Sequence, residues 1–305
     1  MATLPMLSTP KFKHTLVGLG KEIEYRPFTV KEQKILLLAK QDGSKQAQFD
    51  AVRQIIDLCT FGKLDIEKLA IFDVIDILLR LRSKSVDSVA KHTYKYRYTP
   101  KDATEEKEER IVINLDLDKI SVKTDDKHKR TVILDPDTNY GIKLRYPTLN
   151  DISQAKDDFD QIARNIETIF HGEDVYQANE IPFNELQDFV DQMSTQNLKD
   201  IKEFYATMPR IEHSIDIKLK DGTTEKIVYR DLEDFFQLAL VHESLESYYR
   251  TNTAILFGLK SDFEMRFTLD DFENMVVYER DIYLLLMESR MTELRQALNN
   301  NKQRT

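Results

Sequence analysis

The chain has 305 residues, a net charge of −9 and 32% charged residues, which leaves room for two or three modest domains or one multi-lobed one. Charge of this sign, well interspersed, argues against nucleic acid as a partner, because such binding depends on clustered Lys and Arg neutralising phosphates. Cys59 is the single cysteine, so an internal disulfide and a multi-cysteine zinc site are excluded. Residues 1–13 lack the apolar stretch of a leader, and no apolar run approaches the roughly 18 residues of a membrane span. A soluble chain of the cytosol is expected.

In chain order, residues 12–16 and 23–28 flank Gly18 and Gly20 and predict a hairpin. Pro27 cannot extend a sheet ladder. Thr29 and Glu32 follow with the S/T-x-x-E spacing of a capping box, in which each side chain satisfies an orphan amide at a helix start. Ile35, Leu36, Leu38 and Ala39 form the helix body. Phe49, Val52, Ile55, Ile56 and Cys59 share one face of a second helix. After Gly62, residues 69–81 are apolar almost all round, the mark of a helix buried on several sides.

Near Ser85 the period changes. Tyr94, Tyr96 and Tyr98 alternate with Lys95 and Arg97, and Ile111, Ile113, Leu115 and then Ile142, Leu144, Tyr146 alternate likewise. Period two in short runs predicts a small antiparallel sheet, with residues 101–110 as an exposed charged loop. Pro147 ends it. Residues 151–170 read as helix, as do the stretches holding Leu186, Phe189, Val190, Met193 and Leu198, Ile201, Phe204. Ile211, His213, Ile215, Ile217 and Leu219 then predict a strand, with Asp221-Gly222 as a positive-φ hairpin turn and residues 227–229 returning. From Asp231 the pattern is helical to a polar end at 299–305. No fixed-period repeat is present, so a solenoid is not expected. The fold class expected is α+β: helical lobes flanking a small antiparallel β-sheet, with a second hairpin before the C-terminal helices. The expected divisions are 1–90, 91–148 and 149–305.

Chemical motifs are sparse. His242-Glu243 begins like H-E-x-x-H, but position 246 is Glu, so the second ring ligand is missing. The loop from Asp135 to Gly141 has Tyr140 where an EF-hand needs glycine and Tyr146 where it needs a bidentate glutamate. Gly18-Leu19-Gly20 lacks the third glycine of a pyrophosphate cradle. His213 reads as a partly buried core histidine, and Cys59 as packing. Asp157-Asp158 and Asp270-Asp271 fit helix starts, where they face the positive end of the dipole. Along residues 91–98 the tyrosines fall on one strand face and Lys95 and Arg97 on the other. That separates stacking surface from phosphate contacts. No catalytic residue, cofactor or metal is expected.

Several blocks together resemble one known family. The opening Arg26-Pro27-Phe28-Thr29-Val30-Lys31-Glu32 is similar to the start of a baseplate hub protein of T-even-type contractile-tailed bacteriophages. Phe72-Asp73 with residues 81–86, then Lys143-Leu144-Arg145-Tyr146-Pro147, the segment around Met208-Pro209, residues 244–252 and residues 278–283 resemble further signatures in the same order. Asp87 departs from a usual glycine, residues 259–267 look longer than their counterpart, and a cysteine pair that some members carry is missing. The resemblance implies a non-enzymatic baseplate hub subunit or chaperone-like hub assembly factor. Such a protein works through contacts with other hub and tail proteins, in the host cytoplasm during assembly or in the virion. A cytosolic binding adaptor unrelated to tails, and behind it an unrecognised hydrolase, are the alternatives. Tyr and Arg dominate interface hot spots. The partner-binding candidates are therefore Tyr25, Arg26 and Phe28, then Tyr248, Tyr249 and Arg250, then Tyr278, Glu279 and Arg280.

Overall fold

The computed structural model describes residues 10–99, 105–239, 244–262 and 268–302. Strands β1 (Phe12–Leu16) and β2 (Lys21–Tyr25) pair across a turn closed by Gly20 at φ +65°, a conformation glycine adopts without a Cβ clash. Helix α1 (Val30–Asp42) starts on the Thr29/Glu32 capping box and stops where Gly43 turns left-handed. Helix α2 (Lys45–Cys59) follows on a Ser44 cap. A short 3-10 turn at Ile66–Lys68 leads into α3 (Ile71–Ser85), whose carboxylate Asp73 accepts the amides of Gly18 and Leu19 at 3.0 and 2.9 Å. The first hairpin is thereby pinned to the buried helix. A long hairpin, β3 (Val89–Tyr98) with β4 (Lys107–Asp116), closes this half.

The second half builds a similar series, with one hairpin and one helix added. β5 (Thr131–Asp135) and β6 (Tyr140–Leu144) form a hairpin, followed by α4 (Leu149–Gln154) and α5 (Asp158–Asn165). Here β7 (Ile166–His171) and β8 (Asp174–Gln177) are inserted before the next 3-10 turn at Ala178–Glu180. α6 (Phe183–Asp191) and α7 (Thr195–Thr207) come next, then the hairpin β9 (His213–Lys218) with β10 (Thr224–Tyr229). The C-terminal part is helical: α8 (Leu232–Ala239), α9 (Leu245–Asp262), α10 (Leu269–Asn274) and α11 (Val277–Lys302). The fold class is α+β, with small antiparallel sheets and C-terminal helices.

Several local expectations change. The tyrosine strand and the Ile142–Leu144 strand belong to different sheets: β3–β4 stand as a pair, and β6 lies inside a four-stranded sheet of order β5-β6-β7-β8. Residues 101–104 of the charged loop lie outside the described residues, and Lys107–Arg110 are already strand. The single helix expected over 151–170 is two short helices and a strand, because Asp157 caps a new helix and Ile166, Thr168 and Ile169 are β-branched residues that favour the pleated surface. His242 lies outside the described residues.

One core runs through the first half and beyond it. Phe28, Leu36, Val52, Ile55, Leu78 and Leu81 share it with Leu115, Ile217 and Phe235. The two long hairpins meet over it: Tyr94 donates to Glu225 at 2.6 Å, the Lys220 amide donates to the Tyr96 hydroxyl at 3.2 Å, and Tyr229 and His92 lie 3.0 Å apart. The tyrosine face therefore packs on another part of the same chain. A second core, with Ile142, Leu144, Ile166, Val190 and Phe204, fills the four-stranded sheet and α5 to α7.

Candidate partner-binding surface

The two halves begin their helices with one device. In the first, Arg26 donates to both oxygens of Glu32 at 2.8 and 2.6 Å and to the Pro27 carbonyl at 2.9 Å. Its own amide donates to the Cys59 carbonyl at 3.0 Å. In the second, Arg145 donates to both oxygens of Asp151 at 2.5 and 2.8 Å, and its amide to the Asn165 carbonyl at 2.8 Å. Thr148 and Asp151 form a capping box as Thr29 and Glu32 do. Each acid thus closes its helix start and holds the arginine that ties that start to the end of the next helix. Burial disfavours the charge on Glu32 and Asp151, but the arginine and threonine bonds outweigh it and leave both pKa values below the ordinary carboxylate range.

The threonine backbones also join parts of the molecule. Thr148 pairs with Ala70, and Ile71 donates its amide to Pro147 at 2.8 Å. Thr29 pairs with Val276, and Val30 donates to Met275 at 3.0 Å. Phe72 of α3 meets the Tyr146 ring edge-on at 5.1 Å across the first junction. Sequence reading singled out the first helix start and missed the second as its counterpart. The signal was there: Arg-x-x-Thr-x-x-acid occurs at Arg26–Thr29–Glu32 and at Arg145–Thr148–Asp151.

The three aromatic and charged clusters fall in different settings. Tyr25 and Phe28 are buried, and burial pushes the Tyr25 phenol up to about 12. Arg26 is held by Glu32. In the third cluster, Arg280 is fully buried and donates to Gln33 at 3.1 Å and to Asp281. Glu279 accepts the Val276 amide at 3.0 Å at the start of α11, and Tyr278 is half-buried. These contacts join α11 to α1. The middle cluster is divided: Tyr248 is buried, whereas Tyr249 is 48% exposed under the Lys34 ammonium, and Arg250 is exposed beside Glu246. The C-terminal helices also expose large apolar side chains, Phe257 on α9 and Ile282, Leu285 and Leu286 on α11.

A cavity of about 950 Å³ opens where the halves meet, lined by Phe49, Ile75, Tyr205, Met208 and Leu232 among others. Several of the charges lining it are engaged. Lys45 pairs with Glu233 at 2.7 Å, Arg230 with Glu212 at 2.9 Å, and Asp234 accepts the amides of Arg230 and Asp231 at the start of α8. Among the described residues no group of three or more His, Cys, Asp or Glu is placed to hold a metal ion. Cys59 is buried, and burial pushes its thiol pKa up, away from a reactive thiolate. No described helix is long and apolar enough to cross a membrane.

The scaffold belongs to a known class of phage structural protein. Residues 9–237 match the family described as T4 bacteriophage base plate protein, and the chain is a member of it. No curated protein and no solved structure matches. The matched stretch takes in both Arg-x-x-Thr-x-x-acid helix starts and both long hairpins; the helices carrying Tyr249, Phe257 and Ile282 lie beyond it.

Proposed function

We propose that this protein is a non-enzymatic component or assembly factor of the baseplate hub, acting by contacts with other hub and tail proteins. The observation that carries the reading is the family match across both halves. The hub-specific part rests on the resemblance of the blocks at residues 26–32, 143–147 and 278–283. Its work is done in the host cytoplasm during assembly, and a resident subunit then stays in the tail.

The contact surface proposed is the exposed part of the C-terminal helices, Tyr249, Arg250 and Phe257 on α9 and Ile282 and Leu285 on α11. Exposed aromatic and aliphatic side chains beside an arginine are the material of interface hot spots. Co-expression with the hub and tape-measure proteins of the same phage, followed by size exclusion and mass spectrometry, tests the reading. A Tyr249→Ala/Arg250→Ala variant is expected to lose co-purification and keep its melting temperature. Retained binding would move the contact surface elsewhere, and failure of wild-type protein to associate with any hub protein would sink the hub assignment. Mass spectrometry of purified virions separates the two forms of the proposal, since an escort is absent from them and a subunit is present.

A further inference from the structure

The hairpin β7–β8 has no counterpart in the first half, where residues 60–65 run directly from α2 to the 3-10 turn. Its inner strand completes the second core through Ile166 and Ile169. The outer strand does not contribute in this way. All of Asp174, Val175, Tyr176 and Gln177 are exposed, and β8 is the end of its sheet. Among the described residues, no strand pairs with its far side. The turn holds two residues, Gly172 and Glu173, so the flanking pair His171 and Asp174 exchanges the close hydrogen bonds and the pattern alternates from there. The main-chain groups of Val175 and Gln177 therefore point to the open side.

Side chains on both faces lead to that edge. On the outer face, cross-strand register lines up Ile133, Gly141, Phe170 and Val175 in one row over all four strands. Ile133 is 42% and Val175 60% exposed. Gly141 leaves room for the Phe170 ring, which would lie 2.4 Å from a Cβ added there. On the inner face, a cavity of about 410 Å³ is lined by Tyr140, Ile169, His171, Tyr176, Glu185 and Phe189 among others. An extended chain laid along β8 would place alternate side chains on the apolar row and toward this cavity.

Charge identifies the occupant. Between Gly172 and Leu198 the sequence holds six acids, Glu173, Asp174, Glu180, Glu185, Asp188 and Asp191, and no Lys, Arg or His. All six are exposed. Glu173 in the turn, Asp174 on β8 and Glu185 at the inner cavity put acid along the open strand, which attracts a basic segment and repels an acidic one.

We propose that β8 is a strand-addition site for an extended, basic segment of another protein. Such a segment alternates Lys or Arg with Val, Ile or aromatic residues. The site is separate from the C-terminal surface above and does not depend on the hub assignment. The probe is a panel of short synthetic peptides alternating lysine with valine, isoleucine or phenylalanine, with glutamate-for-lysine counterparts. Binding to the full chain is read by fluorescence anisotropy, and amide protection by hydrogen exchange. Expected are binding of at least one basic peptide, new protection at Val175 and Gln177, and affinity that falls with salt. Val175→Pro removes one outward amide at an edge position that tolerates proline, so it should keep the melting temperature and weaken binding by about tenfold or more. A Glu180→Lys/Glu185→Lys variant should weaken it similarly through charge alone. If no basic peptide binds, if the acidic peptides bind as well, if protection falls outside residues 173–178, or if both variants fold and bind like wild type, the proposal is wrong.

Discussion

Helices α3 and α6 occupy matching places in the two halves, each entered from a 3-10 turn, yet their surroundings are opposite. In α3, Phe72, Asp73 and Asp76 are almost fully buried, enclosed by the first hairpin, by α2 and α8 and by Tyr146 of the second half. The matching residues of α6, counted from the 3-10 turns, are Asn184, Glu185 and Asp188, all exposed. α6 buries Leu186 and Val190 against its own half and presents the rest to water. One local construction thus serves as a central helix once and as an outer helix the second time. A helix packed on one side only keeps polar residues on its other face.

The largest test of that difference is a pair of substitutions at the matching position. Phe72→Ala should cost about 3–5 kcal/mol, the usual size for removing a buried aromatic ring. Asn184→Ala should stay within about 0.5 kcal/mol, as exposed changes do. Urea unfolding measures both, and equal losses would show that α6 is as enclosed as α3.

Next come the arginines. Arg26→Ala leaves Glu32 buried without its partner and should cost about 3 kcal/mol. Arg145 is more exposed, at 36% against 19% for Arg26, so Arg145→Ala should cost roughly half as much, because water screens its ion pair. The reverse order would break the picture of a more enclosed first half.

The same acids set the response to pH. Glu32 and Asp151 titrate below their ordinary values of 4.5 and 3.8. Their contribution is therefore complete above those values and is lost as pH falls through the lower folded-state values. Asp73 is shifted the other way, burial outweighing the Gly18 and Leu19 amides. It favours the folded state when protonated and loses that advantage as pH rises from 3.8 toward its higher folded value. Urea midpoints measured between about pH 2 and 5 should fall less on acidification in Glu32→Gln and more steeply in Asp73→Asn than in wild type. Parallel curves for all three would remove the assignment.

Smaller losses belong to the caps. Thr29→Ala and Thr148→Ala should each cost about 1 kcal/mol, and similarly, because the two boxes are alike. A Thr29→Ala protein that melts like wild type would show that Arg26 and Glu32 hold the junction alone.

Much of the local structure was legible. The Thr29/Glu32 box, the enclosed helix over 69–81, the Asp221-Gly222 turn and the strand at Tyr94–Tyr98 depend on neighbours in the chain, and each carries its signal in residue type and spacing. Strand β7 was not legible, because Ile166, Ile169 and Phe170 fit a helical stripe as well as a pleat; its place between β6 and β8 decides the matter. The candidate surface was legible only by residue type. Tyr and Arg, with Phe28 and Glu279, marked nine positions, but whether a tyrosine lies under a lysine at the surface, like Tyr249, or inside the core, like Tyr248, depends on how α9 packs against its neighbours.

What the sequence by itself determined about this protein is its class and its punctuation: an acidic α+β chain with one cysteine, its helix starts, its turns, and the family blocks in order. These follow from backbone preference and side-chain chemistry acting over a few residues. Only the tertiary structure decided that the chain builds two similar series of elements, that Thr29 and Thr148 join distant helix starts, and that β8 is left as an open edge. Each of those depends on contacts between residues far apart in the chain, where burial and backbone pairing choose among arrangements that local spacing leaves equal.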